Sequence, residues 1–301
     1  MARNVVLALL VLALATAACG GGSAASARSG VVKVVAAQNF WGSIATQLGG
    51  SKASVQSVVT DPNADPHEYE TSTNDARAFA DADFVILNGA GYDDWATRLL
   101  SANPNSHRTV LTAAGVLGKK AGDNPHFWYD PSYVSRMADQ ITAGYKSIDS
   151  ADSAYFDEQR AVFTTALEPY TQRIAEIKAK FTGTPVAATE SIFVYMAAAL
   201  GLNLISPTEF MNAVAEGNDP PASAVIEFQN QITGKQAKVL VYNVQTATAV
   251  TTNVKHLAAQ ADIPIVGVSE TLEPETATFQ DWQLSQLLAL QNALNASALA
   301  S

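Results

Sequence analysis

Two loops carry the residues best suited to chemistry. Asp65-Pro66-His67 runs into Glu68-Tyr69-Glu70, and Asn124-Pro125-His126 runs into Phe127-Trp128-Tyr129-Asp130-Pro131. The chain has only four histidines, and two of them share this setting. Proline fixes φ and holds the residue before it extended, so each imidazole leaves a stiff turn with little slack. Neutral imidazole is also the commonest nitrogen ligand for divalent transition metals. One such histidine alone reads as an ordinary member of an Asx-Pro turn. The repetition favours a pair of metal ligands, His67 and His126. His107, beside an Asn-Pro-Asn-Ser turn, and His256, in a polar helical stretch, read as solvated.

Elements that could position such loops alternate along the chain. A β-branched run at Val31 to Ala37 precedes a helical stretch from Phe40 to Leu48, and Val55 to Val59 reads as a second strand leading into the His67 loop. Helices over Thr73 to Ala80 and Trp95 to Leu100 flank a buried strand at Phe84 to Leu87; Thr109 to Leu111 is a weaker one. This alternation predicts an α/β protein with mostly parallel sheets, whose ligands sit beyond the carboxyl ends of the strands. From Ser153 to Phe181 apolar residues recur at helical spacing without glycine, as in a connector, with a kink or break near Glu168 because Pro169 interrupts it. Strands at Val186 to Ala188, Leu204-Ile205, Val239 to Tyr242 and Ile265 to Val268 then alternate with helices at about 191–200, 223–232, 247–260 and 278–294. The second half mirrors the first. The predicted segments are a signal peptide (1–18), a tether (19–30), a first lobe (31–152), a connecting helix (153–181) and a second lobe (182–301).

The first segment is a targeting signal and not fold. Arg3 precedes an apolar run from Val5 to Ala15, and Thr16-Ala17-Ala18 places small residues before Cys19, as at a secretory cleavage site. The run is too short for a stable membrane span. Cys19 is the only cysteine, which excludes an intrachain disulfide, and its position resembles a lipobox whose cysteine carries a lipid. Gly20 to Gly30 reads as a flexible tether, so the protein is expected outside the cytoplasm, anchored to the outer face of the cell membrane. The net charge is −10, and without a basic cluster nothing could neutralise a row of nucleic-acid phosphates. An acidic surface is compatible with attracting cations.

The D-P-H-x-Y-E loop at Asp65 to Glu70, the N-P-H-x-W-x-D-P loop at Asn124 to Pro131, T-E-x-x-F-x-Y-x-A at Thr189 to Ala197 and V-S-E-T before a Trp-containing helix resemble the metal-binding lipoproteins of bacterial ABC importers for zinc and manganese. The resemblance covers the chain after the tether, with Thr71 standing where that family often has proline. It implies two βα lobes joined by one long helix, with a metal held between them by His67 and His126 from the first lobe and Glu190 and Glu270 from the second. It also implies a membrane permease as partner and a monomeric carrier. Both glutamates come after predicted strands, where a helix-terminal carboxylate that complements the macrodipole is the alternative role. Glu273 and Glu275 compete with Glu270. Two imidazoles with two carboxylates neutralise a divalent ion without leaving net buried charge.

Relatives that carry zinc usually have histidine in place of Glu190 and a His-rich acidic loop after the first histidine loop. Carboxylate oxygen shifts a site toward Mn²⁺, while Zn²⁺ wins by intrinsic affinity in most N/O sites, so Mn²⁺ is only slightly preferred. Metal-bound imidazoles need a partner for their second nitrogen, and Asp65, Asp123 and Asp130 are the candidates. Trp128, Tyr129 and Tyr195 are expected to pack between the lobes. The competing readings are a metal-dependent hydrolase and a surface adhesin with a structural metal. Against an enzyme, the chain lacks H-E-x-x-H, G-x-S-x-G and phosphate-cradling glycine motifs.

Overall fold

The β-branched run after Gly30 forms strand β1 (Val32–Gln38), and the chain turns at once into helix α1 (Asn39–Gly49), whose Phe40, Trp41, Ile44 and Leu48 are buried. A computed structural model describes residues 30–62 and 69–299. The expectations on the signal peptide, Cys19, the tether before Gly30, Asp65 and His67 therefore lie outside the described residues. Strand β2 (Ala53–Val59) pairs parallel to β1. Helix α2 (Thr73–Asp81) opens with a capping box in which Ser72 and Asp75 each accept from the other's backbone N–H, so two amides that a helix start would leave open are satisfied. Strand β3 (Phe84–Leu87), helix α3 (Asp94–Ala102), strand β4 (Thr109–Thr112) and the short α4 (Ala113–Leu117) come next. The sheet order is β2-β1-β3-β4, all parallel. Every residue of β3 is buried, as in a parallel strand covered on both faces.

Helix α5 (Pro131–Ile148) has no counterpart among the sequence-based expectations, in which Asp130-Pro131 is part of a turn. Its signals are nevertheless local: Asp130 is the N-cap, Pro131 stands in the first turn, and Val134, Met137, Ala138, Ile141 and Tyr145 are buried at helical spacing. The connecting stretch breaks near Glu168 as expected, into α6 (Ser153–Ala166) and α7 (Glu168–Phe181), separated by Leu167. Pro169 is the cause, since it has no N–H to continue the ladder and is accommodated in the first turn of a new helix.

The second lobe repeats the first strand for strand. Strand β5 (Pro185–Ala188), a 3-10 turn (Ser191–Phe193), helix α8 (Val194–Ala199), strand β6 (Asn203–Leu204), helices α9 (Thr208–Ala215) and α10 (Ala222–Thr233), strand β7 (Leu240–Asn243), helix α11 (Ala249–Gln260), strand β8 (Ile265–Val268) and helix α12 (Phe279–Leu299) build a parallel sheet ordered β6-β5-β7-β8.

Apolar packing explains why the lobes stay together. The outer face of the first sheet has its own cluster around Val35, Phe79, Val85 and Trp95, and that of the second is centred on Phe210, Phe228, Leu240 and Ile263. Their inner faces share one core running from Phe84 and Tyr145 through Phe163, Tyr170 and Ile177 to Val241 and Trp282. Within it α6 packs on α1 and α5, and α7 packs on α12. No helix among the described residues is long and apolar enough to cross a membrane.

Candidate metal centre

Segments leaving the carboxyl ends of the parallel strands build the cleft side of the molecule. Glu190 stands two residues beyond β5, Glu270 two beyond β8, Tyr92 in the turn after β3, and Asn243 ends β7, the placement expected for ligand-facing groups in such sheets. His126 comes from the loop before α5. Its side chain and those of Glu190 and Glu270 are fully buried, and each offers a ligand atom within 4.8 Å of the others. Nε2 of His126 lies 3.5 Å from Oε1 of Glu190 and 3.8 Å from Oε2 of Glu270. Two buried carboxylates around one imidazole are costly unless a cation balances them, and the nitrogen and oxygen donors suit a divalent transition metal.

Hydrogen bonds fix these three side chains. Nδ1 of His126 contacts Oδ1 of Asn124 at 2.8 Å, and the backbone N–H of His126 donates to the same oxygen at 3.0 Å. The Asx turn thus presents Nε2 to the carboxylates by engaging Nδ1. Oε2 of Glu270 accepts from the Tyr92 hydroxyl at 2.6 Å, and Oε1 of Glu190 from the Ser191 hydroxyl at 3.2 Å. A single amide nitrogen, Nδ2 of Asn243, donates to Glu190 at 2.9 Å and to Glu270 at 2.8 Å. Oε1 of Gln245 holds the Glu270 loop by accepting from the backbone of Glu270 and Thr271. Tyr129 donates to the Ser269 carbonyl at 2.8 Å. Burial pushes its hydroxyl well above the ordinary value against the Gln286 hydrogen bond, and the Glu270 and Glu190 carboxylates push it further up, so it remains a donor.

Several sequence expectations change against this geometry. Asp130 does not contact the His126 imidazole: its Oδ1 accepts from the backbone of Ser132 and Tyr133 and caps α5. Asp123 accepts from the Lys120 backbone and lines a cleft of about 430 Å³ that borders the cluster through Tyr92, Asn124 and Ser191. Asn124, marked in the sequence only as the Asx residue of the same motif, engages Nδ1 of His126 instead. Glu273 and Glu275 are exposed, whereas Glu270 is buried. His107 and His256 are exposed, as expected. Trp128 stacks on Phe40 inside the first lobe at 3.9 Å between ring centroids and edges onto His126; Tyr129 and Tyr195 do cross between lobes, Tyr195 by donating to the Asn124 carbonyl at 2.9 Å. Tyr92, Asn243 and Gln245 carried no local signal, because their partners are distant in sequence.

Fold and cluster together define a two-lobed α/β protein with a buried imidazole and carboxylate centre in its interlobe cleft. The family model of the zinc-uptake complex component A, periplasmic, matches residues 34–293, and the chain belongs to that family. It is 25% identical over 238 residues to the manganese-binding lipoprotein MntA of Halalkalibacterium halodurans, covering 74% of this chain and 76% of that one. It is 26% identical over 248 residues to the manganese ABC transporter substrate-binding lipoprotein PsaA of Streptococcus pneumoniae, with 74% and 76% covered. The structure of the binding protein FpvC of Pseudomonas aeruginosa in complex with Mn²⁺ superposes with a TM-score of 0.71 at 17% identity, covering 89% of this chain and 99% of that one, a likeness of fold.

Proposed function

We propose that this chain captures a divalent transition metal ion, Mn²⁺ or Zn²⁺, through His126, Glu190, Glu270 and His67, and hands it to the membrane permease of an ABC importer. The observation that carries this reading is the convergence of three fully buried ligand atoms within 4.8 Å in a chain of the zinc-uptake family. Relatives named for manganese and the paired carboxylates keep Mn²⁺ among the cargoes, while the intrinsic affinity order keeps Zn²⁺ there too. Burial of the donors favours carriage over catalysis, since a hydrolytic metal needs an open position that a substrate can reach. Lipid attachment at Cys19 would hold a monomer at the outer face of the membrane beside the permease.

The test is titration of metal-stripped protein with Mn²⁺ and Zn²⁺ by calorimetry, together with elemental analysis of protein purified without added metal. Equimolar binding that disappears in His126→Ala is expected. Absence of binding, or binding unchanged in that variant, would overturn the reading.

A further inference from the structure

The side chains of His126, Glu190 and Glu270 are fully buried, yet an ion has to reach them. The cleft of about 430 Å³ beside them meets each through a hydrogen-bonded neighbour. Tyr92 donates to Glu270, Ser191 donates to Glu190, and Asn124 contacts Nδ1 of His126, and all three neighbours line the cleft. A divalent ion carrying six waters of about 30 Å³ apiece needs about 180 Å³, so it fits. The charged residues that line the cleft, Asp123 and Glu216, are both acidic, which favours a cation.

The three neighbours are not held alike. Asn124 and Ser191 are tied together, Nδ2 of Asn124 donating to the Ser191 carbonyl at 2.7 Å, and Tyr195 donates to the Asn124 carbonyl. Tyr92 belongs instead to the turn between β3 and α3, where Gly89, Ala90 and Gly91 follow one another at φ of 77°, 57° and 91°. Left-handed backbone suits glycine and strains alanine. Asp93 anchors the base of this turn by accepting from the Asn88 and Gly89 amides. Its tip at Gly91 is exposed, with nothing within 4 Å of the position a Cβ would take. The Tyr92 ring stands edge-on to the His126 ring at 6.1 Å between centroids, so a ring that lines the cleft also abuts the imidazole.

We propose that this cleft is the passage by which the ion enters and leaves the buried centre, and that Tyr92 is its gate, swinging on the Gly91 tip when its hydrogen bond to Glu270 breaks. This rests on the metal-carrier reading above. A gate changes the barrier in both directions, whereas a residue that only steadies Glu270 would change release alone.

Stopped-flow transfer of Zn²⁺ between a chromophoric chelator and the full chain gives the capture and release rates. Asn212→Trp and Glu216→Trp put an indole into the cleft from exposed positions on α9 and just after it. Each should slow capture and release together by about tenfold and leave Kd within about twofold. Asn230→Trp, in a separate groove on α10, should leave both rates unchanged. Tyr92→Phe should quicken both by about tenfold, since the tie it removes ends on a carboxylate. Unchanged rates in a folded Asn212→Trp or Glu216→Trp, or equal slowing in Asn230→Trp, overturn the passage. Faster release without faster capture in Tyr92→Phe overturns the gate, and this arm decides even if neither cleft variant folds. Failure of the unaltered chain to bind Zn²⁺ or Mn²⁺ would instead strike the carrier reading beneath it.

Discussion

His126 divides its work between two nitrogens. Nε2 faces Glu190 and Glu270, and Nδ1 is engaged by Asn124, so the ring is oriented before any ion arrives. Removing the ring should lower metal affinity by more than the roughly 10–100-fold that loss of an outer partner costs. His107→Ala and His256→Ala should leave affinity unchanged, because both side chains are solvated away from the cleft. Calorimetric titration of the three variants decides this, and comparable losses at all three would remove His126 from the site. Asn124→Ala keeps the ring and frees Nδ1, and it also removes the Nδ2 hydrogen bond to the Ser191 carbonyl beside Glu190, 2.7 Å long. Its affinity should fall by about 10–100-fold, less than for His126→Ala, as read by competition with a chromophoric chelator. Asn124→Asp keeps the Oδ1 acceptor and should recover part of the loss.

The turn between β3 and α3 is the element that reaches across to Glu270, and Asp93 shapes it. Its buried carboxylate accepts from the backbone of Asn88 at 2.6 Å and of Gly89 at 2.8 Å, while the Asn88 side chain bridges Trp41 and the Pro125 carbonyl. Asp93→Ala would leave two donors unmatched and should cost about 1–3 kcal/mol in urea unfolding. Burial pushes the Asp93 carboxyl up to about 6, against the hydrogen bonds from Asn88 and Gly89 that pull it down. A folded-state value above the unfolded one means that the folded chain holds the proton more tightly. The stability this residue contributes is therefore largest below about 3.8 and is lost as pH rises through about 6. The difference in unfolding free energy between the unaltered protein and Asp93→Asn should decline across that window and level off above it. A difference that stays flat would mean that Asp93 ionises normally in the fold.

At the scale of the molecule, the connector and the shared core set how far the lobes can move. The break at Leu167 gives each half of the connector to a different partner, α6 to α1 and α5, α7 to α12. On that side Phe279 N–H donates to Ser43 Oγ at 2.9 Å, and Gln47 and Gln280 exchange amide hydrogen bonds at 3.1 and 2.7 Å. Opening the cleft widely would tear this seam and expose the common core, so modest tilt with local movement of the Glu190 and Glu270 loops is the cheaper route. Small-angle scattering of metal-free and metal-loaded protein should give nearly equal radii of gyration. A clear expansion on metal removal would show that the seam yields. Tyr92→Phe deletes a hydroxyl that ties the first lobe to Glu270; hydrogen exchange in the Glu270 loop of the metal-free variant should quicken, with α12 unaffected.

The chain alone makes legible whatever depends on neighbours in sequence. The βα alternation, the Asn-Pro turn that presents His126, the break before Pro169 and the place of Glu190 and Glu270 after strands all come from local propensity, periodicity and turn chemistry. Helix α5 was legible too, through Asp130 and Pro131, but the motif around His126 drew those residues into a binding role. Tertiary structure alone decided which polar groups meet. Asn243 lies 53 residues from Glu190 and Tyr92 lies 178 from Glu270, and nothing in the local pattern of either marks it. Their pairing arises because two sheets of the same strand order point their carboxyl ends into one cleft, and a polar group buried there has to find its partner in the other segments that end beside it.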